Sequence, residues 1–285
     1  MISPDKALPK NLPIWILHFW RRIHETYQLR GRWKVCNDWV ASRPHISTKL
    51  QDQFEKTLVN TCWQGSLNGR WRNRSTRDIF NLLSNNELNT GQVDNLLKLV
   101  KRNLPSRSDG AAFPLIASTV LTQVLTFAHQ ERNNLTFQRT WIQAMVEDSL
   151  IEGRNSSVAS VAWISTRGGH WESYTVEPST SLISYGDSLG WPIPDTLQKV
   201  LQWWLLNLRQ MMGLLTGSAT VTVVPLPITP QDVSFSCGIL ATNSIRHYLI
   251  GNVFPLVKQD ATSIKTYRIE RTIEILILDG EFVRG

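Results

Sequence analysis

The sequence predicts an α+β protein with a helical extension at its front. Three observations carry that expectation. Apolar positions recur at helical intervals through roughly the first half of the chain. Three short β-like runs then follow in close succession between residues 158 and 187. After them, helix, strand and helix patterns succeed one another. The chain has 285 residues, of which 42% are hydrophobic and 19% charged, so it can bury a core and lacks the composition of a disordered segment.

Residues 12–75 read as helical, with Trp20, Ile23 and Tyr27 at helical intervals and Trp33 beyond Gly31. This front segment holds half of the 12 tryptophans (Trp15, Trp20, Trp33, Trp39, Trp63 and Trp71), which implies aromatic surface buried in a core or an interface. Residues 1–75 hold 13 Lys and Arg against 5 Asp and Glu, while residues 76–285 hold 17 against 18, so the net charge of +7 belongs to the front. Such a segment suits a nucleic acid or another acidic partner, or simply forms a solvated helical face. The polar, basic stretch "NGRWRNRSTRD" (Asn68–Asp78) marks the expected boundary between an extension, residues 1–75, and a main domain, residues 76–285.

Within the main domain, Val93, Leu96, Leu97 and Val100 predict an amphipathic helix, with Asn89 or Thr90 as its N-cap. Residues 114–129 and 136–151 read as two further helices. "SSVASVAWIST", "HWESYTVEP" and "SLISYGDS" read as strands separated by the turn-like breaks "TRGGH" and "EPST". A long helix follows Pro194, with Asp195 in its first turn. "SATVTVVPLP" reads as a strand. A helix then opens at about Cys237 and stops at Gly251. "SIKTYRIERTIEILIL" closes the chain as a last helix.

The three cysteines, Cys36, Cys62 and Cys237, are odd in number and lack metal-ligand spacing, which points to a reducing compartment and no structural metal. Cys36 and Cys62 read as structural, and His129 and His247 as ordinary helix histidines. Pro4, Asp5 and Pro9 interrupt the start, so no signal peptide is expected. The run "LPIWILHFW" is about half a membrane span. The expectation is an intracellular protein, nuclear or cytoplasmic, without a membrane segment.

Gly186-Asp187-Ser188-Leu189 spells the nucleophile motif of a class of serine esterases. That reading requires a partner Asp-x-x-His near the C-terminal end. The only histidine after the motif is His247, and the residue three before it is Ser244. Without a base within reach a serine is not activated, so Ser188 reads as a cap or hydrogen-bond partner beside Asp187.

A different constellation fits better. His170-Trp171 stands at a strand start, Asp187 at the end of a later strand, Gln231 six residues before Cys237, and Cys237-Gly238 at a helix start. A thiol must ionise to attack a carbonyl, and a helix N-terminus favours the anion. A histidine can hold the ion pair and protonate the leaving amine, and a carboxylate can fix the ring. An amide side chain together with the cysteine's own N–H can stabilise the oxyanion.

These residues resemble the Ulp/SENP family of ubiquitin-like-protein proteases, circularly permuted relatives of papain that are also similar to the adenovirus protease. The family order is His, Asp, Gln, Cys, with an "HW" pair, a strand ending in "DS" and "Q-x5-CG", and all of these are present here. The resemblance is good over residues 158–250, weaker over 78–157, and does not reach the first 75. It implies a papain-like cysteine protease fold. It also implies a peptidase or isopeptidase acting on a ubiquitin-like (SUMO- or Nedd-like) precursor or conjugate without metal or cofactor. By resemblance Cys237 is the nucleophile, His170 the base and acid, Asp187 the orienting carboxylate, Gln231 the oxyanion donor and Trp171 a wall of the substrate channel. Two departures stand out. Glu87-Leu88-Asn89-Thr90 occupies the place of the family's "W-L-N-D", and Ser236 that of the usual Asp before the cysteine. A ubiquitin-like-protein binding module without catalysis is the alternative that these departures leave open.

Overall fold

Five strands form a mixed sheet in the order β3-β4-β5-β6-β7: β3 Phe113–Ile116, β4 Val158–Arg167, β5 His170–Glu177, β6 Leu182–Asp187 and β7 Thr222–Pro225. The computed structural model describes residues 13–42, 46–61, 66–67, 74–75, 79, 81–104, 112–131, 158–214 and 220–284. Seven helices occur among these residues: α1 Ile14–Ala41, α2 Thr48–Val59, α3 Thr90–Arg102, α4 Leu121–Gln130, α5 Asp195–Met211, α6 Cys237–Ile250 and α7 Ala261–Arg284. The fold is α+β, as the sequence predicts.

The three central strands form an antiparallel meander, whereas both outer strands pair in parallel, β3 with β4 and β7 with β6. The β4–β5 turn is only Gly168-Gly169, with φ of 59° and 87°; two consecutive positive angles are what a tight hairpin turn demands and glycine supplies freely. That turn sets Arg167 opposite His170, and the β5–β6 register then sets Glu172 opposite Asp187.

Side-chain alternation divides the sheet between two cores. On one face Val161, Trp163, Tyr174, Val176, Ile183 and Tyr185 pack against α4 and α5. On the other face Ala162, Ile164 and Trp171 pack against α3, α6 and α7. Helix α6 is buried on all sides over Cys237–Arg246, and the polar side chains this encloses are bonded internally: Thr242 donates to the Gly238 carbonyl, Asn243 to that of Pro255 and Ser244 to that of Pro227. Trp33, Cys36, Val40, Ile46 and Phe54 of the front segment join the same core as α6, so residues on both sides of the expected 75/76 boundary share one apolar interior.

Three expectations need correction. Residues 114–129 are not one helix: Phe113–Ile116 is an edge strand and the helix starts at Leu121. A four-residue apolar run cannot be assigned by periodicity, and Pro114 is tolerated because the strand lies at the sheet edge. The front is not wholly helical, since Ser66–Leu67 (β1) pairs antiparallel with Arg74–Ser75 (β2). Its tryptophans are also divided: Trp33 is core, whereas Trp15 and Trp20 are about 60% exposed (61% and 60%). The expected helix at 136–151, Cys62, Trp63, Trp71 and most of the 68–78 stretch lie outside the described residues. Among the described residues no helix is long and apolar enough to cross a membrane.

Candidate active site

His170 is the first residue of β5 and Asp187 the last of β6, so the antiparallel pairing brings both to the same end of the sheet. His170 Nε2 lies 3.3 Å from Asp187 Oδ2. This is ion-pair distance without hydrogen-bond alignment, and Nε2 has no hydrogen-bond partner. The Asp187 carboxylate is held from three other sides. Oδ1 accepts the Leu189 N–H at 2.6 Å, Oδ2 accepts from Tyr185 Oη at 3.3 Å, and Arg167 Nη2 stands 3.7 Å from Oδ2. The Trp191 ring lies beside His170, with centroids 5.3 Å apart, and Arg167 sits over the same indole.

Cys237 opens α6 on the other face of the sheet and is buried, at 3% exposure. Burial pushes its thiol pKa up. The peptide N–H groups of Trp171 and Gly238 donate toward the sulfur and oppose that push, while Glu87 adds to it. The Trp171 N–H belongs to the residue after His170, so the thiol sits against the strand end that carries the imidazole. No hydrogen bond joins the His170 ring to the sulfur among the described residues. Ligand-free sites are often loose in this way and tighten around substrate.

The contacts around Trp171 explain Gly238. A Cβ there would stand 3.1 Å from Trp171 Cδ1 and 3.2 Å from Leu88 Cβ, so a larger residue would need Trp171 and Leu88 to shift by a few tenths of an ångström, whereas glycine fits as they stand. The Trp171 indole is buried and donates to the Leu88 carbonyl at 2.8 Å. Leu88 is positioned by the cap of α3. Asn89 Oδ1 accepts the Gln92 N–H while Gln92 Oε1 accepts the Asn89 N–H, which settles the N-cap as Asn89. Glu87, where the resemblance places a tryptophan, is exposed at this end.

Gln231 lies beside Ser188. Its peptide N–H donates to the Ser188 carbonyl at 2.7 Å, and Ser188 Oγ donates to Gln231 Oε1 at 3.1 Å. With the amide oxygen engaged, the two amide N–H donors are directed away from Ser188. Ser188 therefore makes a hydrogen bond next to Asp187, the role expected for it.

Sequence reasoning missed a buried polar cluster behind Asp187. Glu172 Oε1 is 2.6 Å from Arg167 Nη2 and accepts from Tyr185 Oη at 2.9 Å, and Oε2 accepts from Tyr174 Oη at 2.6 Å. Burial pushes the Glu172 carboxyl up, against the pull of the two hydroxyls and of Arg167. The signal was a carboxylate in a strand interior, between the aromatic residues Trp171 and Tyr174. Arg268 of α7 was missed too. Fully buried, it donates to the carbonyls of Asn81, Ser84, Asn86 and Phe235, which fastens the segment before Glu87 to the segment before Cys237. Burial lowers its pKa to about 10. No cluster of three or more His, Cys, Asp or Glu with metal-binding geometry occurs among the described residues. A groove of about 310 Å³ touches Asp187, Trp191 and Ile228 but neither His170 nor Cys237.

No protein-family model matches the sequence, and no curated protein matches it. Solved structures do. The SUMO protease Ulp1 with its catalytic cysteine oxidised to a sulfinic acid superposes with a TM-score of 0.58 at 15% identity, covering 83% of this chain and 98% of that one. The C-terminal Ulp1 protease domain in complex with Smt3, the yeast ortholog of SUMO, gives 0.56 at 18% identity, with coverages of 82% and 96%. The Chaetomium thermophilum Ulp1-like SUMO protease catalytic domain gives 0.56 at 14%, with coverages of 81% and 90%. The fold is thus that of the Ulp1-type proteases.

Proposed function

We propose that the protein is a thiol peptidase or isopeptidase acting on the C-terminal tail of a ubiquitin-like protein, as a precursor or a conjugate. The observation that carries this is the meeting of three element ends. His170 and Asp187 face each other at 3.3 Å, and Cys237, at the start of α6, receives the N–H of Trp171. The imidazole takes the thiol proton, and the thiolate is stabilised by the helix N-terminus and the Trp171 and Gly238 amides. The thiolate attacks the scissile carbonyl, and the oxyanion that forms is met by the Gln231 amide and the Cys237 N–H. The His170 imidazolium, steadied by Asp187, protonates the leaving amine, and water then releases the acyl group. Trp171 and Leu88 form one wall of the approach to the sulfur, and Glu87 places a negative charge at its mouth. The Ulp1 domain solved with Smt3 bound supports a ubiquitin-like substrate.

The test is a panel of SUMO, Nedd and ubiquitin probes bearing a C-terminal electrophile. Labelling at Cys237 by at least one probe, lost in His170→Ala, is the expected result. If every probe binds without labelling, the chain is a binding module rather than an enzyme. If none binds, the substrate class is wrong.

A further inference from the structure

Among the described residues, Arg167 is the only arginine or lysine within 4 Å of Asp187, and it is shared with a second buried carboxylate. Glu172 is the cross-strand partner of Asp187. A single nitrogen, Arg167 Nη2, stands 2.6 Å from Glu172, 3.3 Å from the Tyr185 hydroxyl and 3.7 Å from Asp187. Tyr185 has one proton and two carboxylates in reach, Glu172 at 2.9 Å and Asp187 at 3.3 Å, and in both cases the shorter contact goes to Glu172. Tyr174 holds the other Glu172 oxygen. We infer that Glu172 is a positioning residue that draws Arg167 away from Asp187, so that the Asp187 charge is left for the His170 imidazolium. This rests on the triad reading proposed above.

The charges explain why such a device is needed. An aspartate paired with an arginine has little field left for a neighbouring imidazolium, and the guanidinium 3.7 Å from Asp187 itself opposes a positive charge on the ring that faces the same carboxylate. With Glu172 ionised, Arg167 and Glu172 cancel, and the site presents the net −1 of Asp187 to His170. With Glu172 neutralised, Arg167 and Asp187 cancel, and His170 sees a net charge of zero. The other groups on this face do not alter the balance. Tyr174 and Tyr185 are neutral donors whose pKa values burial pushes upward. Trp191 contributes a ring, and α4 and α5 bring Thr122, Trp203 and Trp204 to this core. Arg209 of α5 donates to the Pro178, Ser179 and Leu214 carbonyls at the opposite end of the strands. From the other face come the Cys237 thiol and Glu87.

The experiment follows the His170 Cε1–H NMR signal against pH in the full-length chain carrying Cys237→Ala, which isolates the imidazole from the thiolate. His170→Gln assigns the signal. Glu172→Gln should lower the His170 pKa by about one unit, the usual effect of one nearby charge. Adding Arg167→Gln to Glu172→Gln removes both members of the pair, and His170 should return to the parent value. The double variant removes Arg167 and Glu172 together, so neither is left buried without the other, and it keeps the test open if Glu172→Gln alone does not fold. An unchanged His170 pKa in folded Glu172→Gln overturns the inference, as does a double variant that stays away from the parent value. Asp187→Asn separates this from the underlying triad reading. If Asp187→Asn lowers the His170 pKa and Glu172→Gln does not, only the inference falls. If neither moves it, the triad reading falls as well.

Discussion

Cys36 and Cys237 are equally buried, each 3% exposed, and in both burial is the main force raising the thiol pKa. Their surroundings differ in what opposes that force. Cys36 lies inside α1 within an apolar core, and burial takes its pKa from an ordinary 9.0 to about 12. Cys237 lies at a helix start, with two peptide N–H groups aimed at it and the His170 strand end beside it. A buried thiol is inert by default, and the fold around Cys237 supplies two amides that oppose that default, one of them from the residue after His170.

Replacing each cysteine gives the largest expected contrast. Cys237→Ala should reduce probe labelling and peptide cleavage by about 10⁴-fold or more, whereas Cys36→Ala should change them by less than about 2-fold. An active Cys237→Ala protein would break the comparison outright. The next contrast lies within the GDSL stretch. Asp187→Ala should cost about 10²- to 10⁴-fold in kcat/KM, because the ring loses its orienting charge. Ser188→Ala should cost about 10-fold or less, since it loosens the Gln231 amide without removing it. Equal losses would return Ser188 to consideration as a nucleophile.

A smaller effect sharpens the comparison through stability. The folded protein holds the Cys36 proton up to about pH 12, while the unfolded chain releases it near 9.0. Between those values the native state binds more protons, so the stability contributed by this group is complete below pH 9 and falls as pH rises toward 12. By pH 10 the loss from Cys36 is about 1.4 kcal/mol. Urea unfolding of Cys36→Ala should show a shallower decline over that range than the parent, and identical slopes would mean that Cys36 is not held neutral.

The sequence was most legible where a residue's task is local. The three central strands could be read from aromatic and β-branched runs broken by Gly-Gly and Pro-Ser-Thr, and α6 from the glycine that ends it. The order of His170, Asp187, Gln231 and Cys237 was visible for the same reason, because His170, Asp187 and Cys237 stand at element ends and Gln231 lies in the loop just before Cys237. Lateral relations were not visible. Glu172 and Asp187 are 15 positions apart and meet only through the β5–β6 register. Arg268 reaches the Asn81 carbonyl across 187 positions. Strand β3 was lost because a four-residue run, three apolar residues and a proline, is too short to show a period. The exposure of Trp15 and Trp20 was lost because composition counts aromatic rings without saying which of them a neighbour covers.

The central claim is that position and partners make one of two equally buried thiols a nucleophile. Mass-spectrometric timing of iodoacetamide modification in the native, full-length protein at pH 6 tests it most directly. Cys237 should react at least about 100-fold faster than Cys36, and His170→Ala should erase most of that difference. Equal, slow modification of both cysteines, unaffected by His170→Ala, would contradict it.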